Sequence, residues 1–192
     1  MELYQAIKNR RSIRKYKGDP VPKPLIEKIL DAANWAPSGM NEQPWEYIIV
    51  AGSKLDEVKG VTQEVINAIL PPKDQRNEQQ KMSAHWFSTL GGAPVAILQL
   101  AKREEDPIRK KMTLEGLGAS FQNLLLAAYA EGLGTCWMTG PLMKADRLQE
   151  VLGVPSDKEL IAVSPLGYPD MSPAPVPRVD ATLATKVTWL GF

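Results

Sequence analysis

Apolar positions recur along the chain in two rhythms, one close to the helical repeat and one in short continuous runs, and their order predicts interleaved helices and strands. Leu3, Ala6 and Ile7 share a helical face within Glu2 to Lys8, and a basic run follows directly. Leu25, Ile26, Ile29, Leu30 and Ala33 repeat the helical spacing, entered through Pro22 and Pro24 and stopped by Pro37. Trp45 to Ala51 reads as a strand, and a helix resumes after Ser53 on Leu55, Val58 and Val61. Pro71 to Gln80 is polar and proline-led, so residues 71–92 are expected to form a lid or substrate loop, with His85, Trp86 and Phe87 in a loop-like aromatic stretch. Pro94 to Leu100 is apolar at successive positions rather than alternating, which predicts a strand covered on both faces.

The strongest helical stripe is Leu114, Leu117, Phe121, Leu124, Leu125 and Ala128, with Gly116, Gly118, Ala119 and Ser120 inside it. An internal glycine costs about 1 kcal/mol relative to alanine, so the pair predicts close backbone approach by another helix, with a dimer seam as the candidate. Gly132 and Gly134 end this helix. Thr135 to Thr139 is then expected to be extended, Lys144 to Leu152 a short helix and Leu160 to Leu166 a strand. Prolines between Pro165 and Pro177 predict an extended C-terminal arm over 169–192, with Val187-Thr188-Trp189-Leu190 as a strand-like tail. The order predicts an α+β fold: a mixed sheet covered by helices, in one domain over 1–192.

Composition narrows the function classes. At 192 residues a folded chain buries roughly 70% of its unfolded surface and needs no staple, and the single Cys136 cannot form a bridge within the chain. The longest apolar run, Leu124 to Ala130, is far short of the roughly 20 residues of a membrane helix. The first residues carry no basic segment leading into an apolar one, so the expected setting is cytoplasmic. Lys and Arg total 23 against 22 Asp and Glu, which argues against a generally basic nucleic-acid surface. Anion binding must then be local, and neither nucleic acid nor membrane is expected as a partner.

Three segments could carry chemistry. Lys8 to Lys17 places six cations in ten residues with no acid, and Arg10, Arg11 and Arg14 around Ser12 offer forked donors that suit phosphate. The same run also reads as a solvated basic turn. Pro37-Ser38-Gly39-Met40-Asn41-Glu42-Gln43-Pro44 is either a rigid connector or a source of amide and backbone groups for a planar heteroaromatic edge. Gly132 to Pro141 is either a helix cap leading into a strand or a glycine-flanked edge, with N–H groups at Thr139 and Gly140 that a flat ligand could approach. It lacks the dinucleotide spacing G-x-G-x-x-G. One His and one Cys leave no set for a zinc site and little for a nucleophile system, so no metal is expected and the chemistry points to a borrowed cofactor.

Taken in order, Arg10-Arg11-Ser12-Ile13-Arg14, Ala36-Pro37-Ser38-Gly39-Met40-Asn41-Glu42-Gln43-Pro44-Trp45 and Gly132-Leu133-Gly134-Thr135-Cys136-Trp137 resemble the FMN-dependent nitroreductase superfamily. The resemblance implies an intertwined α+β homodimer with shared FMN sites and C-terminal tails exchanged onto the partner. It implies that Arg10 and Ser12, with Arg11 beside them, hold the phosphate and ribityl chain, and that Arg14 lies near the N1 and O2 edge. Pro37, Ser38, Gly39 and Asn41, with Gln43, would come from the other subunit. Met138, Thr139 and Gly140 would face the N5 and O4 edge, and Arg178 would close on the phosphate. Better-known members carry a second basic residue where this chain has Val176, which leaves more of the phosphate to Arg10 and Arg178. No side chain is then an essential catalyst. NAD(P)H would reduce the flavin and a small-molecule acceptor (a nitroaromatic, quinone or flavin) would reoxidise it, in ping-pong order, with Trp86 and Phe87 shaping the acceptor pocket. Two alternatives remain open: a reductive dehalogenase or flavin-destroying enzyme of the same fold, for which a Thr139 hydroxyl at N5 is relevant, and a non-catalytic module binding anions or nucleic acid.

Overall fold

Val95–Lys102 forms the strand β2 at the centre of the molecule, and every residue from Val95 to Ala101 is buried, as its unbroken apolar run requires. In the computed structural model, which describes residues 2–192, β2 pairs antiparallel with β1 (Glu46–Ala51) on one side and with β4 (Lys158–Gly167) on the other. The two-residue β3 (Gly134–Thr135) closes the sheet in the order β1-β2-β4-β3. All of these pairings are antiparallel, and the mixed character of the sheet comes from a parallel bridge between Ser12 and Thr135.

Alternation along β2 sorts its side chains to two covers. Val95 and Ile97 meet α2 (Lys23–Asn34) and α5 (Pro107–Ala130) through Ile29, Ala33, Phe121, Leu124 and Leu125. Ala96 and Leu98 meet α3 (Gly52–Ile69) and α6 (Ala145–Leu152) through Leu55, Val58, Val61 and Leu148. Each large side chain fully withdrawn from water in these layers contributes about 1.5–3 kcal/mol before entropy is counted. One polar chain crosses the first cover: Gln99 Nε2 donates to the Leu117 carbonyl at 3.1 Å and to the Tyr47 hydroxyl at 3.3 Å. Tyr47 in turn bonds Ser120 at 2.6 Å, and Ser120 donates to the Ala33 carbonyl at 2.8 Å. This is why a serine sits inside the apolar face of α5.

Several expectations need correcting. The segment 71–92 is not a loop: a turn at Lys73–Gln75 leads into α4 (Glu78–Thr89), so His85, Trp86 and Phe87 are helical. Asn77 Oδ1 accepts from Gln80 N at 2.9 Å and Gln80 Oε1 from Asn77 N at 3.0 Å, a reciprocal cap that starts the helix. Thr135 to Thr139 is a strand only at its first residue, after which Met138 pairs with Val163 in an isolated bridge. Within one chain neither glycine of α5 faces another helix, so the approach expected of the pair falls to a second copy. A Cβ on Gly116 would lie 3.2 Å from Ser38 of the same chain, and one on Gly118 would meet nothing. Within one chain the tail Val187–Leu190 pairs with no strand, and its pairing onto a partner concerns a second copy. Asp180 instead organises the arm before it, accepting from Ala184 N and Thr185 N at 3.2 and 2.8 Å. The remaining helix, α1 (Leu3–Asn9), delivers the basic run to the sheet edge.

Candidate functional site

Arg10 ends α1, and Arg11 turns back to cap it, its Nη1 donating to the carbonyls of Lys8 at 2.7 Å and Arg10 at 2.8 Å. From there the chain threads a clip. Ile13 N donates to Thr135 O at 2.9 Å, Tyr16 N to Gly91 O at 2.9 Å and Lys17 N to Tyr168 O at 2.8 Å. Two glycines make the clip possible: a Cβ on Gly134 would lie 2.9 Å from the Ile13 side chain, and one on Gly91 would lie 2.3 Å from Arg14 O. The C-terminal arm closes it through Asp170, whose N–H donates to Lys15 O and whose carboxylate pairs with Lys15 at 2.6 Å. That pairing holds the Asp170 carboxyl below its ordinary range. Arg14 N also donates to Met171 Sδ at 3.1 Å.

The clip concentrates positive charge. Arg10 is half-buried, and burial, together with the charges of Arg11 and Arg178, pulls its pKa below the ordinary value, while Cys136 opposes. Among the described residues, none of Arg10, Arg11, Arg14 and Arg178 pairs with a carboxylate. Arg11 Nε is buried without a hydrogen-bond partner. Guanidinium groups gathered this way lack an anion, and the forked donors suit phosphate oxygens. Cys136 lies beneath them, its thiol pushed up by burial against the pull of Arg14, a Ser12 hydrogen bond and Arg10.

The glycine-rich third segment lies beside the clip, and its donors are unevenly spent. Met138 is buried, gives its N–H to Val163 O at 2.8 Å and accepts from Val163 N at 3.1 Å. Its N–H is therefore spent and is no donor to a ligand edge. Thr139 is exposed and opens the turn Gly140–Lys144 without a side-chain cap bond, so its hydroxyl is available. Gly140 abuts α4, since a Cβ there would lie 2.9 Å from the Phe87 ring. Trp86, one residue earlier, faces a cavity of about 950 Å³ that Arg14, Tyr16, Met82, His85 and Met171 also line.

The second segment stands elsewhere. Ser38 and Gly39 lie on α5 above Gly116 and Met112, at a cavity of about 240 Å³ that shares no lining residue with the larger one. Its loop is tightly wound: Met40, Asn41 and Gln43 all have positive φ, and Gln43 donates to Ser38 Oγ through its backbone and to Asn41 Oδ1 through its side chain. Pro37 is exposed at its entrance. One chain therefore brings Arg10, Arg11, Ser12 and Arg14 against Thr135 and Cys136, on the segment that leads to Thr139 and Gly140, with Arg178 near Arg10, and leaves Pro37, Ser38, Gly39, Asn41 and Gln43 apart from them. Sequence reasoning missed Gly91 and Met171. The adjacent glycines Gly91-Gly92 were a signal for a close approach, whereas nothing in the sequence pairs Met171 with Arg14.

A family model described as the nitroreductase family matches residues 7–168. A chain from Methanothermobacter thermautotrophicus, provisionally named an NADH dehydrogenase/NAD(P)H nitroreductase, is 34% identical over 176 residues, which is 90% of this chain and 80% of that one. A crystal structure of oxidized iodotyrosine deiodinase bound to FMN and 3-iodo-L-tyrosine superposes with a TM-score of 0.75 at 28% identity, covering 92% of this chain and 95% of that one. An FMN- and NADPH-dependent nitroreductase from Sphigopyxis sp. strain HMH shares the fold at a TM-score of 0.84 and 23% identity, with both chains fully covered.

Proposed function

The chain belongs to the nitroreductase family, and from that premise we propose that it is an FMN-dependent oxidoreductase that uses NAD(P)H to reduce nitroaromatics, quinones or flavins. The observation that carries this reading is the carboxylate-free cluster of Arg10, Arg11 and Arg178, with its unpartnered Nε, set against Thr135 and Cys136 on the segment that leads to Thr139 and Gly140. When bound, FMN supplies reversible two-electron chemistry at N5. Arg10, Arg178 and Ser12 hold the phosphate end, and Arg11 fixes Arg10 by capping α1 while offering its Nε. Arg14 sets a positive charge beside the large cavity, which favours negative charge developing on a reduced ring. The Thr139 hydroxyl and the Gly140 N–H are the donors left at the other edge, because Met138 has spent its own. The cavity beside Arg14 receives NAD(P)H and then the acceptor, which predicts ping-pong kinetics. Pro37, Ser38, Gly39, Asn41 and Gln43 complete the site of a second copy, in keeping with their separation from the clip of their own chain.

The free Thr139 hydroxyl supports a second reading, reductive dehalogenation, the class to which the deiodinase belongs. The visible spectrum of the purified protein under anaerobic NADH or NADPH distinguishes these readings. Flavin bands that bleach with either nucleotide are the expected result. Bands that neither nucleotide bleaches favour the dehalogenating reading, and a colourless protein that takes up no FMN refutes both and leaves an anion-binding module. The double variant Arg10→Ala/Arg178→Ala is expected to purify without flavin, and stoichiometric FMN in it would overturn the phosphate assignment.

A further inference from the structure

The cavity of about 950 Å³ between the clip, α4 and the arm carries Arg14, Lys15, Lys81 and His85 on its walls and, among the described residues that line it, no carboxylate. Of these four, Lys15 and Lys81 have partners outside the lining. Lys15 is held by Asp170 at 2.6 Å, and Lys81 by Glu78 at 2.7 Å, but Glu78 is 85% exposed and the pair lies one turn apart on the outside of α4. An exposed pair of that kind is screened and exchanges easily for another anion. Arg14 has no carboxylate partner. The rest of the wall sets apolar or flat surface (Tyr16, Met82, Trp86, Met171 and the Gly91-Gly92 backbone) beside the uncharged polar groups of Gln79, Ser83 and Thr89. Lys81 and His85 are four residues apart, on one side of the helix, and Met82 and Trp86 repeat the same interval beside them. The helix thus presents a strip of positive or hydrogen-donating heads next to a strip of polarizable surface.

On the oxidoreductase reading above, we propose that this cavity selects aromatic acceptors that carry an anionic substituent, with the ring against Trp86 and the two methionines and the anion taken by Lys81 and His85. Arg14 stays with the cofactor edge, so Lys81 and His85 determine specificity without belonging to the cofactor cradle. For a nitroaromatic anion, one NAD(P)H and one proton convert the nitro group to a nitroso group and water. An N–O bond breaks, NAD(P)⁺ leaves, and the anionic substituent is unchanged.

The test uses the flavin-loaded enzyme with a saturating nicotinamide and compares 4-nitrobenzoate with its neutral methyl ester. A charge-assisted contact to the carboxylate predicts a KM about tenfold lower for the acid. The double variant Lys81→Gln/His85→Gln, both on an exposed helix face, is expected to raise the KM for the acid by about the same factor and to leave that for the ester unmoved. Equal KM values in the parent enzyme, preference for the ester, or a variant in which both substrates weaken together would overturn the proposal. A second readout does not depend on turnover: calorimetric titration is expected to show benzoate binding the parent enzyme more tightly than benzamide, with the difference lost in the variant. If neither nitro compound nor a quinone is reduced, the oxidoreductase reading fails, and the benzoate and benzamide titrations still decide whether the cavity selects anions.

Discussion

Gly91 shows how far the site depends on an atom that is absent. Its φ is +67°, and a Cβ would lie 2.3 Å from Arg14 O and 2.8 Å from the Trp86 ring. Backbone atoms cannot yield as a flexible side chain can, so Gly91→Ala is expected to cost about 2 kcal/mol or more, from the left-handed backbone and from displacing the Tyr16–Gly91 bond. Equilibrium urea unfolding checks this, and an unchanged midpoint would refute it. The polarity of Asp180 is a milder matter of pH. Bonds from Thr185 N and the Thr185 hydroxyl come first among the influences that lower its carboxyl to about 2 from 3.8. The folded-state value is depressed, so this contribution to the arm is complete above the unfolded value and is lost as pH falls through about 2. The Thr185 amide resonance should therefore titrate with a midpoint near the lower value, and a midpoint near 3.8 would show that the Asp180 turn does not form.

Helix α4 is the element that hydrophobic periodicity failed to find. It buries no residue fully: Met82 and Trp86 line a cavity, and Trp86 and Phe87 only border the core layer that holds Val58 and Leu90, so no helical stripe marks it. The information was present in another form: Asn77 and Gln80 at cap spacing, a polar signal that a search for apolar repeats passes over. By contrast α2, α5, β2 and β4 are legible because they bury one or both faces in the same core. The Arg run, the Pro37–Asn41 loop and the Thr139-Gly140 edge were readable as candidate segments, but the spent N–H of Met138 was not. Its loss depends on pairing with Val163, 25 residues later, which no local pattern records. Because the reciprocal cap starts α4, Asn77→Ala is expected to cost about 1 kcal/mol, felt first in the opening turn of that helix. Amide exchange should quicken in 78–82 and KM should rise for the acceptor while the global midpoint holds. Uniform loss of protection across β2 as well would show that α4 is integral to the core.

At the scale of the whole molecule, the chain leaves apolar surface that its own fold does not cover. Leu3, Tyr4 and Ile7 on α1, and Ile108 and Leu114 on α5, are all exposed, and the tail ends in exposed Trp189, Leu190 and Phe192. Exposed apolar surface on this scale marks a contact site in soluble proteins. Gly118 belongs to the same helix as Leu114, and a Cβ on it would meet nothing within 4 Å, so its own chain gives no reason for a residue that costs about 1 kcal/mol there relative to alanine. On the proposed two-chain site a second copy would supply one, because a glycine admits the close approach of a partner surface. The Pro37–Asn41 loop sits on α5 as well, so a partner docked there would bring that loop toward the partner's clip and complete a cofactor site from two chains. Gly118→Leu is then expected to leave the fold of each chain intact, since a Cβ there meets nothing within 4 Å. It is expected to shift the sedimentation coefficient toward that of a monomer and to lose flavin in the same proportion. Loss of dimer with full retention of flavin would separate the interface from the site, and a variant that stays dimeric with full flavin would remove α5 from the interface altogether.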